Sequence, residues 1–381
     1  MRLTPDALRR VRAGHPWVYD KSIVSVSHEG APGDLAVLFD DDRRFAGIGL
    51  WDPTSPIRVK VLHHGKPVTV DRAFWQQRLA DALARRASLQ ARGDTSGYRC
   101  VNGENDFLPG LVLDRYDRTL VLKLYTAAWV PHLADIVPVI EELLHPNAVV
   151  LRLARSISAE HLHGLEEGDA LVGVPPDGPV LFTEHGLLFE ADVLAGQKTG
   201  HFLDQRDNRA YLRTLAGGAD VLDVFASTGG FTVHAAAGGA ASVTAVDISA
   251  PTLAAAERNL ALNRRLPEVA ACVTRTVVAD AFREMDRLQR SRTRFDVVVV
   301  DPPSFASRKD QVARAVRSYA RLTELALELV APGGTLVQAS CSARVDAATF
   351  TTVVTSSAAA AGHQVRDVTV FGHAVDHPVG F

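Results

Sequence analysis

The stretch that most constrains the fold of this chain is Asp220-Val-Leu-Asp-Val-Phe-Ala-Ser-Thr-Gly-Gly-Phe-Thr-Val-His234. Val221, Leu222, Val224 and Phe225 form a short apolar run suited to a parallel strand covered on both faces, and Thr228-Gly229-Gly230 supplies a turn into a helix. Glycine lets backbone approach a ligand where a β-carbon would clash. The full spacing of the dinucleotide fingerprint is missing, which argues against pyrophosphate. Asp223, at the strand end, suits a positively charged amino group. Twenty-four residues on, Asp247 closes the run Ser242-Val-Thr-Ala-Val-Asp247 and suits ribose hydroxyls. An amino group and a ribose without pyrophosphate point to S-adenosylmethionine. Taken alone, the same residues fit a βαβ unit whose glycines only pack a helix on a sheet.

From Asp220 onward strands and helices alternate regularly. Strands are expected at Val221–Phe225, Val243–Asp247, Val273–Ala279, Phe295–Asp301, Thr335–Ala339 and Val365–Phe371. Helices are expected at Phe231–Ala237, Thr252–Asn263 and Phe282–Gln289, and near 310–330 and 346–359. This is the pattern of a doubly wound α/β domain, whose ligands sit at the carboxyl ends of the strands. Asp223, Asp247, Asp280, Asp301 and Cys341 all fall there.

With 381 residues the chain has room for two or three domains. No apolar stretch is long enough to span a bilayer, and Met-Arg-Leu-Thr-Pro lacks a signal-peptide core, so a cytoplasmic location with no membrane partner is expected. Cys100, Cys272 and Cys341 include no C-x-x-C pair, which excludes a disulfide framework and a cysteine-rich zinc site. His161 and His163 have no third ligand, so no metal is expected. A net charge of −3 means that a nucleic-acid partner would be held by a local basic patch.

Residues 1–66 read as a small β-rich module, with short strands near 17–19, 35–39, 46–50 and 57–62 separated by Pro, Gly and Asp turns. Ten Lys and Arg against eight Asp and Glu make it only mildly basic, and Arg9, Arg10 and Arg12 read as a solvated helix face. Residues 67–180 suggest a central α/β segment, with an amphipathic helix over 71–92, strands around Asn102-Gly-Glu-Asn-Asp106 and Leu108-Pro-Gly110, and a helix near 132–144. The remainder, 181–381, holds the doubly wound domain. It opens on a hairpin around Glu184-His-Gly186 and on Gly196-Gln-Lys-Thr-Gly-His-Phe-Leu-Asp-Gln-Arg206, where Lys198, Thr199, Asp204, Gln205 and Arg206 are too many functional side chains for an idle linker. Asp204 alone would serve as a helix cap.

Several residues suggest chemistry. Asp280, in Val277-Val-Ala-Asp-Ala-Phe282, can accept from an adenine amino group beside Ala281 and Phe282; it reads equally as the cap of the next helix. In Asp301-Pro-Pro-Ser-Phe305 two prolines fix a stiff exit whose carbonyls are free to face a planar base. Cys341, between Ser340 and Ser342, has the default reading of a small core residue, against which a strand end flanked by serines makes a reactive thiolate plausible. Arg314, Arg317 and Arg321 share a helix face, preceded by Arg308 and Lys309, and would suit phosphates.

Taken together, Gly14-His-Pro-Trp-Val-Tyr19, Val101-Asn-Gly-Glu-Asn-Asp106 with Leu108-Pro-Gly-Leu-Val-Leu-Asp-Arg-Tyr116, Lys198-Thr-Gly-His-Phe-Leu-Asp-Gln-Arg206, Asp301-Pro-Pro-Ser-Phe305 and Ser340-Cys-Ser342 resemble the bacterial class I methyltransferases that make 5-methylcytosine in 23S ribosomal RNA. The resemblance covers nearly the whole chain. It implies a PUA-type RNA-binding domain over 1–66, a central α/β domain over 67–180 and a Rossmann-like methyltransferase domain over 181–381. It implies S-adenosylmethionine as cofactor and RNA as partner, with the oligomeric state open and a homodimer among the options. The cofactor residues it implies are Lys198, Thr199, Phe202, Asp204, Gln205, Arg206, Asp223, Phe225, Thr228, Gly229, Gly230, Asp247, Asp280, Ala281, Phe282, Asp301 and Pro302. The catalytic pair is Cys341 and Asp301, and the RNA-binding residues are Arg308, Lys309, Arg314, Arg317 and Arg321. Cys341 would add to carbon-6 of the cytosine while Asp301 holds the base. Members that the chain resembles continue past Asp376-His-Pro-Val379 through a last strand, so an absent seventh strand and an exposed edge are expected. Two other readings stay open: methylation of a base nitrogen such as guanine N7, for which Cys341 would be dispensable, and an RNA-binding module that keeps a degenerate methyltransferase domain.

Overall fold

A computed structural model describes residues 1–306 and 308–380; the side chain of Lys309 lies outside that description. By internal contacts the chain divides into two compact units, one of residues 1–186, 191–204 and 373–381, the other of 187–190 and 205–372. No helix among the described residues is long and apolar enough to cross a membrane.

The first unit begins with β1 (Arg2–Leu3), α1 (Pro5–Arg12), β2 (Trp17–Tyr19), β3 (Ile23–Ser25), β4 (Leu35–Phe39), β5 (Phe45–Trp51) and β6 (Ile57–His64), which form one sheet in the order β2-β6-β5-β4-β1-β3 with α1 packed on it. Proline at the start of α1 and the Thr4 cap set where that helix begins. Arg9 and Arg10 pair with Asp6, and Arg12 with Asp40. The expected helix over 71–92 is two helices, α2 (Arg72–Ala84) and α3 (Ala87–Ala91). After them come β7 (Gly97–Asn102), β8 (Leu111–Tyr116), β9 (Thr119–Leu124), α4 (Leu133–Leu144), β10 (Ala148–Leu153), β11 (Ala170–Val172) and β12 (Val180–Glu184). β7 to β11 form a mixed sheet whose core includes Trp75, Trp129, Leu113, Leu122 and Ile140.

The second unit contains β13 (Leu187–Ala191, through Glu190), α5 (Arg206–Leu215), β14 (Asp220–Val224), α6 (Gly230–Ala237), β15 (Ser242–Asp247), α7 (Ala250–Leu262), α8 (Pro267–Ala271), β16 (Val273–Val278), α9 (Ala281–Arg290), β17 (Phe295–Val300), α10 (Val312–Leu327), β18 (Val330–Gln338) and α11 (Ala347–Ala360). Its sheet is parallel throughout, in the order β16-β15-β14-β17-β18. The valine-rich strands β14 and β17 are covered on both faces, the burial that their unbroken apolar runs require. The chain starts in the middle at β14, moves outward to β16, then crosses back to β17. The strand order therefore reverses beside β14, which is where such sheets bind ligands.

One expected strand does not form. Val365–Phe371 has no regular structure, and Val365, Val368, Val370 and Phe371 are about half exposed. Their alternation suits a strand, but no strand of the sheet pairs with them, and the ring of Phe371 instead lies 4.6 Å from that of Tyr211. β18 is thus an edge of the sheet.

Candidate active site

The turn after β14 is held in a conformation that side chains rarely adopt. Phe225, Ser227 and Gly229 have φ values of 65°, 50° and 77°, a left-handed run that costs energy at the two non-glycine positions and persists because neighbours fix it. Asp247 supplies one of those fixings: its Oδ2 accepts from the Ser227 amide at 2.9 Å, while its Oδ1 accepts from the Ser249 amide of its own loop, also at 2.9 Å. Asn259, fully buried on α7, donates to the Thr228 carbonyl at 2.9 Å. Glycine is required at 229, where an added Cβ would stand 2.6 Å from the Cβ of Ala256, and at 230, where it would meet Arg209 Cδ at 2.8 Å. Ser227, Arg209 and Asn259 carry no sequence signature that singles them out; their roles come from packing.

Asp223 lies within β14, and its carboxyl is buried. Oδ2 accepts from Thr232 Oγ1 at 2.6 Å, while Oδ1 has no hydrogen-bond partner among the described residues. Burial pushes its pKa up to about 6, against the pull of the Thr232 bonds, and the charge of Asp247 pushes the same way. An orphaned carboxylate oxygen inside a protein is costly unless a cation or donor completes it. The ammonium of an amino-acid cofactor has the right chemistry, so the residues present fit S-adenosylmethionine. Asp280 caps α9, accepting from the Arg283 amide at 3.0 Å with its Oδ1. Ala281 is buried and Phe282 packs against the sheet core. A surface cavity of about 620 Å³ runs along α9 between Val278, Asp280, Arg283, Arg287 and Arg290.

Around β17 the structure joins Asp301 to two other singled-out residues. Gln205 Nε2 donates to Asp301 Oδ1 at 3.1 Å, and Gln205 Oε1 accepts from Asn208 at 2.6 Å. The neighbouring Arg206 is fully buried and reaches Asp207. Cys341, beyond the end of β18, is exposed, and its Sγ lies 3.7 Å from the Pro302 carbonyl oxygen. Cys100 and Cys272 are buried, and burial raises the pKa of both.

Lys198, Thr199, Phe202 and Asp204 belong to the first unit. Asp204 does not cap α5, whose N-cap is Gln205 with no side-chain bond. It instead accepts from Lys198 Nζ at 3.0 Å. Burial opposes its ionisation, but Lys198, His377 and Arg99 outweigh that and hold its pKa down to about 2. Lys198 also lies 4.4 Å above the Phe202 ring. Thr199 is buried and donates to Asp114 Oδ2 at 2.6 Å, next to the hydroxyl of Tyr116. Asp114 in turn holds Arg99 through both its oxygens. Of the arginines, Arg314 and Arg317 are exposed on α10 with no ion pair among the described residues, Arg321 pairs with Asp286 and Glu324, and Arg308 lies 3.6 Å from Asp310.

Comparison with known proteins adds five findings. The family model of S-adenosylmethionine-dependent methyltransferases matches residues 110–371, and that of the PUA-like domain matches residues 1–64. A Ribosomal RNA large subunit methyltransferase of Deinococcus radiodurans is 47% identical over all of this chain and 94% of its own length. A Ribosomal RNA large subunit methyltransferase I of Pseudoalteromonas translucida is 33% identical over 97% of this chain and 92% of its own. Among solved structures, that of SMU.776 complexed with SAH superposes with a TM-score of 0.82 over all of this chain and 95% of that one; at 21% identity the likeness speaks for the fold.

Proposed function

Because the chain belongs to the S-adenosylmethionine-dependent methyltransferases and carries a PUA-like domain at its N-terminus, we propose that it methylates carbon-5 of a cytosine in 23S ribosomal RNA through an adduct with Cys341. One observation carries the reading: the sole exposed cysteine of the three stands 3.7 Å from the backbone of the Asp301-Pro302 turn. Carbon-5 of cytosine is a poor nucleophile. Bond formation between Cys341 Sγ and carbon-6 turns the ring into an enamine whose carbon-5 can attack an electrophilic methyl group. Bound S-adenosylmethionine supplies that methyl from its sulfonium. Loss of the carbon-5 proton and cleavage of the S–C6 bond then return the thiolate and the aromatic product.

The roles follow from the surroundings. Asp301, oriented by Gln205, holds the base and stabilises charge at its ring nitrogen. Asp223 takes the cofactor's ammonium at its open oxygen. Asp247 holds the turn through the Ser227 amide and its own loop through the Ser249 amide, and still has lone pairs for ribose hydroxyls. Asp280, Ala281 and Phe282 border the adenine, with the second oxygen of Asp280 left for its amino group. Lys198, Thr199, Phe202, Asp204 and Arg206 are assigned to the cofactor-binding set, Lys198 and Asp204 as a preformed ion pair. Arg308, Lys309, Arg314, Arg317 and Arg321 meet RNA phosphates, Arg314 and Arg317 most directly because Arg321 is already paired. Residues 1–66 bind RNA as a module, ahead of a central domain over 67–180 and the methyltransferase domain over 181–381. On this reading the protein works in the cytoplasm.

Relatives of similar length named for the large ribosomal subunit support the substrate class. The test is mass spectrometry of nucleosides from unmodified 23S RNA incubated with S-adenosylmethionine and either the wild type or Cys341→Ala. New 5-methylcytidine that disappears in the variant supports atom and nucleophile together. Appearance of 7-methylguanosine that survives the substitution rules out the covalent step, and failure of the wild type to bind S-adenosylmethionine in calorimetry rules out the enzyme.

A further inference from the structure

The loop that carries Cys341 lies beyond an edge strand, so among the described residues no flanking strand on its outer side fixes it. It is fixed from α10 instead. Tyr319 is fully buried, with its ring 5.0 Å from that of Phe305 and 5.1 Å from that of Phe350. Ser340 Oγ donates to the Tyr319 hydroxyl at 2.8 Å, and that hydroxyl lies 2.8 Å from Ser342 Oγ. Ser342 Oγ also accepts from the amides of Phe305 at 3.1 Å and Ala306 at 3.3 Å, and Ser304 Oγ lies 3.4 Å from it.

The amides donate to Ser342 Oγ and Ser340 Oγ donates to the Tyr319 hydroxyl, while either hydroxyl can donate across the 2.8 Å contact between Tyr319 and Ser342. One turn further along α10, Thr323 Oγ1 accompanies the set, within 2.9 Å of Gln338 Oε1 at the end of β18 and 2.8 Å of the Tyr319 carbonyl oxygen. Burial raises the pKa of Tyr319 despite its serine partners, so the phenol stays protonated and available as a donor. Both serines beside Cys341 are thereby engaged, and the second is stapled to the turn that succeeds Asp301.

We infer that Tyr319 is a positioning residue for the nucleophile: its buried hydroxyl bridges Ser340 and Ser342, clamps the Cys341 loop to the Asp301-Pro-Pro-Ser-Phe305 turn, and so sets where Sγ meets the base. The inference rests on Cys341 being the nucleophile. Its mechanism is geometric, since a reacting atom misplaced by about 1 Å can lose on the order of a hundredfold in rate without losing affinity.

The test is steady-state methylation of 23S RNA by the full chain carrying Tyr319→Phe, which removes the hydroxyl and keeps the ring. The expected result is a kcat at least about tenfold lower, with KM for RNA and for S-adenosylmethionine within about twofold of wild type. In the Tyr319→Phe, Cys341→Ala double variant no loss beyond that of Cys341→Ala is expected. Ser340→Ala, which removes the half-buried donor at the other end of the same bridge, repeats the kcat loss with less disturbance of the core. An unchanged kcat in both variants, or a loss confined to KM, overturns the inference while leaving the nucleophile in place. Wild-type activity in Cys341→Ala overturns the nucleophile and this inference with it.

Discussion

The central and the outermost strand of one parallel sheet deliver their site residues in different ways. β14 is paired on both sides, by β15 and β17, and presents Asp223 with its carboxyl sealed inside the protein. β18 is paired on one side only and leads to Cys341 in the open. At the centre the sheet itself fixes the backbone, and burial does the chemical tuning by raising the pKa of a carboxyl whose second oxygen lacks a partner. At the edge, position has to come from side-chain hydroxyls on α10 and from the Pro302 turn. The buried end suits recognition of a cofactor cation; the exposed end suits a nucleophile that must reach a base brought from outside.

The largest expected effect separates the two ends. Cys341→Ala lowers methylation by at least about a thousandfold, since loss of a nucleophile removes the whole covalent route, while calorimetric affinity for S-adenosylmethionine stays within about twofold. Asp223→Asn does the reverse: affinity falls by about ten- to a hundredfold, the value of about 1.5–3 kcal/mol for a charged hydrogen bond, while iodoacetamide alkylates Cys341 at the wild-type rate. If either substitution moved both readouts equally, the two ends would not be separable and the comparison would fail.

A smaller effect comes from the acidity of Asp223. Its folded pKa, about 6, stands above the ordinary value near 3.9. Without ligand, the folded chain therefore holds this proton more tightly than the unfolded chain does. The group's contribution to stability is complete below about pH 4 and is lost as the pH rises through about 6. Cofactor binding runs the other way, because the ammonium needs the carboxylate. Affinity for S-adenosylmethionine is expected to be flat above about pH 7 and to weaken below pH 6, approaching tenfold per pH unit. Asp223→Asn should flatten that profile and make the ligand-free protein more stable at pH 7. Calorimetry between pH 5 and 8 checks the first, and denaturant unfolding at pH 7 the second. A wild-type profile level down to pH 5 would mean that Asp223 does not face the cation.

The same contrast marks what could be read from the sequence. The elements around β14 are legible almost to the residue: the run beginning at Asp220 forms its strand, Thr228-Gly-Gly230 forms its turn, and the helix expected over Phe231–Ala237 spans Gly230–Ala237. Covered parallel strands advertise themselves by continuous apolar runs, and tight turns by glycine. Legibility fails at the edge. Val365–Phe371 has a strand's alternation, yet alternation reports a preference of the chain and not the presence of a neighbour to pair with. Tyr319, Ser340 and Ser342 are invisible as a set because their hydroxyls meet across 21 to 23 residues of chain. Asp204 has the spacing of a helix cap and serves instead as the partner of Lys198, which sequence spacing alone does not distinguish.

The smallest effect probes backbone rather than side chains. Gly229, after β14, and Gly333, within β18, have nearly the same left-handed φ, 77° and 83°. Alanine is strained at both, which by itself costs about 1 kcal/mol. The surroundings differ. A Cβ at 229 stands 2.6 Å from that of Ala256 on α7, whereas one at 333 has nothing within 4 Å. Gly333→Ala should therefore cost about 1 kcal/mol and leave cofactor affinity unchanged. Gly229→Ala adds overpacking of about 1–3 kcal/mol and shifts a turn that Asp247 and Asn259 hold in place, so stability and affinity fall together. Denaturant unfolding and calorimetry on the two variants measure both quantities. Equal costs would mean that α7 moves aside freely, and the rigidity assigned to the central strand end would then belong to its side chains and not to its backbone.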